Sequence, residues 1–103
     1  MNYVYLLRCA DGSLYCGWTT DPVKRLRKHN LGKGAKYTRS RLPVELVYCE
    51  AYEDRHTALS REWQLKQMSR KDKTELIRLQ EENGKKQEAP YQRICTDISE
   101  KKP

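Results

Sequence analysis

The chain turns on residues 2–29. They read Asn2-Tyr3-Val4-Tyr5-Leu6-Leu7-Arg8, a polar break from Cys9 to Ser13, Leu14-Tyr15-Cys16-Gly17-Trp18-Thr19, and then Thr20-Asp21-Pro22-Val23-Lys24-Arg25-Leu26-Arg27-Lys28-His29. Two runs rich in aromatic and β-branched residues flank Asp11-Gly12, which predicts a hairpin. The break is longer than a two-residue turn, so a bulge or a longer loop is expected there. Asp21 suits an N-cap and Pro22 the first helical position, so a helix follows at once.

Alternation along a strand sorts the side chains of the hairpin. Tyr3, Tyr5 and Leu7 share one face, and Val4, Leu6 and Arg8 the other. On the second strand Tyr15, Gly17 and Thr19 fall together. If those two sets pair, two phenols sit close together beside Gly17, which leaves room for a ligand or another backbone. On the helix, Arg25 and His29 are four residues apart and point the same way. Val23, Leu26, Asn30 and Leu31 form the expected inner stripe, with Arg25 and His29 on its border.

These residues resemble a known pattern. The chain is similar to the GIY-YIG nuclease superfamily, in particular its small single-domain bacterial members. Tyr3-Val4-Tyr5 stands where the family has Gly-Ile-Tyr, and Tyr15-Cys16-Gly17 where it has Tyr-Ile-Gly. Arg25 and His29 match the family's helix residues, and Glu62 its distal metal-binding glutamate. The similarity covers about the first eighty residues. An ordered set of Tyr, Tyr-x-Gly, Arg, His and Glu on the right elements is far more specific than one tripeptide. Tyr3 replaces a glycine and Cys16 an isoleucine, and neither exchange removes a group that the family's chemistry uses.

Length and charge bound the remaining possibilities. A chain of 103 residues suits one domain. No apolar run approaches a membrane span, and the N-terminus lacks a signal-peptide pattern. Cys9, Cys16, Cys49 and Cys95 are irregularly spaced without a C-x-x-C pair, which favours free thiols in a reducing cytoplasm over a zinc knuckle. A disulfide from Cys9 or Cys16 to Cys49 stays open on spacing alone. The net charge is +7. Residues 81–103 contribute nothing net, so residues 1–80 hold the excess. Between Lys24 and Arg41 the chain has eight basic residues and no acid. A basic block interleaved with Tyr37 and Thr38 is the footprint of a polyanion binder. The alternative for such a block is a solvated, solubilising surface. No basic amphipathic helix with a broad apolar face points to a membrane.

The rest of the chain reads simply. Gly32 to Arg41 is expected to be a loop, with Tyr37 stacking on a base or packing over the core. Val44 to Tyr52 reads as a third strand that joins the hairpin. Asp54 can cap a helix over Arg55 to Met68, with Trp63 in the core. Glu62 lies near the middle of that helix's apolar arc, with Lys66 beside it. A carboxylate there is either a metal ligand on a cleft wall or half of an ordinary i,i+4 ion pair. Ser69 can cap a third helix, which fades near Asn83-Gly84. The expected fold is therefore α+β: a three-stranded antiparallel sheet flanked by about three helices, in the order β-β-α-β-α-α. Residues 1–83 form the expected domain, and 84–103 a polar, flexible tail with Tyr91 or Ile94 available for a short contact.

The resemblance implies a metal-dependent DNA endonuclease of low intrinsic sequence specificity, with a place in DNA repair or recombination. Tyr5 would be the general base or its proton partner. Tyr15 would position water or phosphate, Arg25 would stabilise the transition state, and Glu62 would bind one Mg²⁺ or Mn²⁺. A single carboxylate suits Mg²⁺, which keeps much of its hydration shell. Arg25 offers phosphate a planar, permanently charged fork. His29 could assist by sharing the Tyr5 proton or by holding water or phosphate; as the last turn of a helix it could equally serve the dipole alone. A free tyrosine with a pKa near 10 costs about 4 kcal/mol to hold deprotonated at pH 7. Gly17, Lys24, Lys28, Lys33, Lys36, Tyr37, Arg39 and Lys66 are the candidate nucleic-acid contacts, DNA ranking ahead of RNA. A protein partner would supply specificity, since the chain has no room for a second domain. Two other readings stand beside this one: a nucleic-acid-binding module that keeps the fold without cutting, and a basic protein-interaction scaffold.

Overall fold

The computed structural model describes residues 1–84, so the expected tail falls, apart from its first residue, outside the described residues, together with Tyr91, Ile94 and Cys95. The elements run β1 (Asn2–Arg8), β2 (Leu14–Thr19), α1 (Pro22–Asn30), α2 (Lys36–Arg39), β3 (Glu45–Tyr52), α3 (Arg55–Gln67) and α4 (Arg70–Gly84). The three strands are antiparallel in the order β2-β1-β3, so the hairpin is joined on the β1 side. The α+β class and the strand order along the chain agree with the sequence reading.

The hairpin loop closes through the Cys9 amide on the Ser13 carbonyl at 2.8 Å and the Gly12 amide on the Cys9 carbonyl at 2.9 Å. Gly12 turns at φ +84°, a conformation that favours glycine. Register then places Tyr3 opposite Thr19, Tyr5 opposite Gly17 and Leu7 opposite Tyr15. The two sets of side chains therefore share a face, as alternation requires.

Each face of the sheet has its own core. Val4, Leu6, Cys16 and Tyr48 pack beneath Ala58 and Leu65 of α3 and Ile77 of α4. Tyr5, Leu7, Cys9, Val44 and Leu46 fill the opposite face, with Tyr15 and with Val23 and Leu26 of α1 packed against them. Caps fix the helix starts. Asp21 accepts from the Lys24 amide at 3.1 Å. Asp54 accepts from the Thr57 amide at 2.8 Å, and Ser69 from the Asp72 amide at 3.1 Å. Gln80 of α4 bonds both the N–H and the C=O of Cys49, covering part of the outer edge of β3. Cys9, Cys16 and Cys49 are buried and form no disulfide with one another, which answers the disulfide question for these three.

Five expectations need correction. Residues 36–39 of the expected loop form a short helix, α2, which makes four helices rather than three. Leu31 caps α1 and stays 72% exposed, whereas His29 is fully buried and not at a border. The Asn30 side chain, instead of packing inward, bonds both backbone groups of Val44 and ties the end of α1 to the start of β3. Trp63 is 65% exposed and outside the core. It lies five residues beyond Ala58, about 140° around the helix from the buried stripe.

Candidate active site

Three of the candidate side chains meet at one oxygen. Tyr5, on the central strand, is 2% exposed. Its Oη lies 3.1 Å from His29 Nε2 and receives the Arg25 Nε–H at 3.4 Å. Both partners come from α1, whose i,i+4 spacing puts them on one side of the helix. Tyr15 closes the group from β2, its ring edge-on to the His29 imidazole with centroids 5.4 Å apart. The other imidazole nitrogen, Nδ1, lies 2.8 Å from Thr38 Oγ1 on α2.

Glycine makes this packing possible. A Cβ on Gly17 would lie 2.5 Å from Tyr5 Cζ, so the space left by the missing side chain is filled by the Tyr5 ring and not by a ligand. The room that Gly17 was expected to leave for a ligand on this face is therefore taken by Tyr5. Gly34 does the same for histidine, since a Cβ there would lie 2.7 Å from His29 Cγ and 2.9 Å from its Cα. The sequence placed Gly34 and Thr38 only in the basic loop and did not connect them with His29. The signal was a histidine that, once buried, needs a partner for each nitrogen, with a hydroxyl nine residues on.

Burial governs the proton affinities. It pushes the Tyr5 phenol up to about 12, although Arg25 pulls the other way through its hydrogen bond and its charge. Burial, followed by the Arg25 charge, pushes His29 down to about 4. At neutral pH the pair is therefore a neutral phenol against a neutral imidazole.

The other candidates lie around this centre. Lys24 and Lys28 of α1, Lys33, Lys36 and Arg39 are exposed along α1, the following loop and α2. Tyr37, 41% exposed, stacks against Tyr15 with centroids 6.0 Å apart. The Arg41 guanidinium sits 3.9 Å from the Tyr37 ring centroid, a contact that the sequence did not suggest.

Glu62 stands apart from that cluster. It belongs to α3, which covers the Val4–Leu6–Cys16 face, while Tyr5 and Tyr15 belong to the opposite one. Its carboxylate pairs with Lys66 Nζ at 3.7 Å, and its carbonyl faces Cys16 Sγ at 3.8 Å. The glutamate side chain is 18% exposed. Among the described residues no cluster of three His, Cys, Asp or Glu side chains exists that could enclose a metal ion. One partly open carboxylate does not fit a closed structural site. It does fit a hydrated Mg²⁺ or Mn²⁺ that shares its remaining positions with water and phosphate.

A phenol, an imidazole and a guanidinium gathered on a β-β-α unit, with a basic surface alongside, define a class. The GIY-YIG catalytic domain model matches residues 1–76, and the chain belongs to that family, a nuclease family whose substrate is nucleic acid. Within it the chain is similar to small proteins named UPF0213. One from Clostridium perfringens is 51% identical over 90 residues, covering 84% of this chain and 97% of its own. Another, from Syntrophus aciditrophicus, is 54% identical over 78 residues, covering 75% and 90%. A solution NMR structure of a Bacillus halodurans UPF0213 protein aligns with TM-score 0.51 at 49% identity, covering 77% of this chain and 85% of that one. An NMR structure of an E. faecalis protein aligns with TM-score 0.53 at 42% identity, covering 76% and 83%. Among the described residues no helix is long and apolar enough to cross a membrane.

Proposed function

We propose that the chain is a metal-dependent endonuclease that hydrolyses DNA phosphodiester bonds with low intrinsic sequence specificity. The observation that carries this is the Tyr5 hydroxyl held between His29 Nε2 at 3.1 Å and Arg25 Nε at 3.4 Å. A phenol with a pKa pushed up to about 12 is no phenolate at neutral pH. It can still relay a proton: its oxygen takes one from the attacking water while its own proton passes to the imidazole. A phosphate held by Arg25 would offset the guanidinium charge that helps keep His29 neutral, and so ease that transfer. Arg25 would also hold charge developing on the phosphate oxygens. Tyr15, against the imidazole, would help orient the water.

Glu62 would hold the Mg²⁺ or Mn²⁺. When bound, that ion supplies Lewis-acid stabilisation at the phosphate. Cys16, whose sulfur faces α3 at Glu62, lies between Tyr15 and Gly17, which face the tyrosine–histidine layer. β2 is an edge strand of the sheet, so both of its layers meet along it. A DNA backbone laid across the β2 edge would therefore reach both layers. The basic surface of α1 and α2 would bind phosphates without reading sequence. Reducing cytoplasm remains the proposed setting, given three buried cysteines that are not joined in disulfides. A protein partner would supply the choice of target, in repair or recombination.

Cleavage of plasmid, branched and single-stranded DNA with Mg²⁺ and Mn²⁺ tests the assignment. Tyr5→Phe is expected to lower the rate by roughly 10²- to 10⁴-fold. Glu62→Ala is expected to abolish the metal dependence. Wild-type rates in both variants would refute the site.

One observation favours a second reading, a module that binds nucleic acid without cutting. Lys66 already neutralises the Glu62 carboxylate, on the layer away from Tyr5. That reading predicts salt-dependent binding, unaffected by Glu62→Ala, and no cleavage with either ion.

A further inference from the structure

The partner of the buried imidazole decides which way protons point in this cluster. His29 and Thr38 are both fully buried, and Tyr5 is 2% exposed, so in the free protein each N–H and O–H among them needs a protein partner. Four contacts link them. Arg25 Nε donates to Tyr5 Oη at 3.4 Å. Tyr5 Oη and His29 Nε2 are 3.1 Å apart, and His29 Nδ1 and Thr38 Oγ1 are 2.8 Å apart. Thr38 Oγ1 lies 2.9 Å from the Ala35 carbonyl oxygen, to which it donates.

Two arrangements of protons are conceivable, and counting separates them. Suppose His29 carries its proton on Nε2. It then donates to Tyr5 Oη, which already accepts from Arg25. The buried tyrosine O–H is left without an acceptor among the described residues. Suppose instead that the proton is on Nδ1. It is donated to Thr38, whose own hydrogen goes to Ala35, a carbonyl that also receives the Thr38 and Arg39 amides at 3.1 and 3.2 Å. Nε2 then accepts the Tyr5 O–H, and every group is satisfied. The Nε2–H form would also turn the Thr38 hydrogen away from Ala35 onto Nδ1 and would still strand the Tyr5 O–H, so the two hydroxyls together set the direction of the chain.

We infer that Thr38 is a positioning residue: its hydroxyl, committed as a donor to the Ala35 carbonyl, holds His29 in the Nδ1–H form and leaves Nε2 free to receive the Tyr5 proton. This rests on the proposed proton relay for its catalytic meaning, but the tautomer itself does not. The imidazole is neutral at physiological pH, since burial and then the Arg25 charge push its pKa down to about 4, so a single tautomer is a defined quantity. Gly34 contributes by letting the loop close over the ring, because a Cβ would overlap the imidazole there.

The test is a long-range ¹H–¹⁵N correlation spectrum of the full chain, with ¹⁵N-labelled histidine, at pH 7. Wild type should show His29 with an N–H-type Nδ1 and a pyridine-type Nε2. Thr38→Val, close in shape but without the hydroxyl, should lose that pattern, and Thr38→Ser should restore it. An Nε2–H pattern in wild type, or a Thr38→Val spectrum identical to wild type, would overturn the inference. The wild-type spectrum decides the matter even if the valine variant fails to fold. In the cleavage assay, Thr38→Val should lower kcat roughly tenfold or more with KM for DNA unchanged, as expected for loss of a histidine's orienting partner. Thr38→Ser should recover the rate. Absence of cleavage by wild type with either ion would refute the endonuclease reading and leave the spectrum to judge Thr38.

Discussion

Adding one methyl group at Gly17 probes the centre of the molecule. Gly17 lies opposite Tyr5 in the β1–β2 register, with the tyrosine ring folded over it. A Cβ at position 17 would stand 2.5 Å from Tyr5 Cζ and 3.1 Å from Cε1, where ordinary contact begins near 3.4 Å. The ring would have to move by about 0.9 Å, the difference between those separations. It has little freedom to do so, being 2% exposed and packed with Leu7, Cys9, Val44 and Leu46. Overpacking of this kind costs about 1–3 kcal/mol. Losing the bond to His29 adds about 1 kcal/mol. Gly17→Ala should therefore lower Tm by about 10 °C or more in a domain of this size. Glycine-to-alanine in a strand without such a contact has the opposite sign and gains about 0.5–1 kcal/mol. A double-mutant cycle isolates the cause. In a Tyr5→Val background the ring is gone, and Gly17→Ala should be neutral or stabilising. Urea unfolding of the four proteins gives the coupling energy. A Gly17→Ala protein as stable as wild type would refute the reasoning, and so would an equal loss in both backgrounds.

Two further perturbations follow from the same structure. His29 titrates near pH 4 in the fold against about 6.5 unfolded. Between those values the unfolded chain binds the proton first, so this group's contribution is complete above pH 6.5 and is lost as pH falls towards 4. It amounts to about 3 kcal/mol in total. The His29 ring C–H resonances should stay flat from pH 8 to 5, and a midpoint near 6.5 would contradict the burial argument. Glu50 accepts from Arg61 Nε at 2.9 Å and Nη2 at 3.1 Å, from Tyr52 Oη at 2.6 Å, and from Tyr48 Oη. Burial raises its pKa, but Arg61 and the two phenols outweigh that and hold it below the usual carboxylate range. Its contribution is thus present above the unfolded carboxylate pKa and lost as pH falls through the lowered one. Glu50→Ala, which leaves Arg61 with Gln64 alone and takes the acceptor from both phenols, should cost about 3 kcal/mol by urea unfolding at pH 7. A loss under about 1 kcal/mol would mean that solvent screens the pair.

Local signals carried the fold because they were redundant. Asp11-Gly12, the alternating tyrosines and the Asp21-Pro22 start each pointed to the same hairpin and helix. The failures fall where burial is decided by what arrives from elsewhere in the chain. α2 has four residues and an alanine N-cap that makes no side-chain bond, so nothing in its composition separates it from a loop. His29 was expected at the border of the inner stripe, because Gly34 and Thr38, which cover it, come from the loop and short helix that follow. Trp63 looked like core on hydrophobicity alone. The sheet face under α3 is already filled from the helix side by Ala58 and Leu65.

The candidate site divides along the same line. Tyr5, Tyr15, Arg25 and His29 lie within 25 residues of one another, on a hairpin and the helix that follows it. Period two on the strands and the i,i+4 step on the helix were enough to predict that they face each other. Glu62 enters from a separate element, 46 residues beyond Cys16, and no local period states which side of the sheet α3 will cover. Its place on the helix also predicts the Lys66 pair and a metal ligand equally well, because both need the same partly exposed carboxylate. What separates them is whether nucleic acid laid over the β2 edge draws Lys66 onto phosphate and frees the carboxylate. Lys66→Met removes the competing charge without shortening the aliphatic stem. If Glu62 is a ligand, that substitution tightens Mn²⁺ binding in the free protein while weakening DNA binding. A glutamate that serves only the ion pair leaves Mn²⁺ affinity where it was.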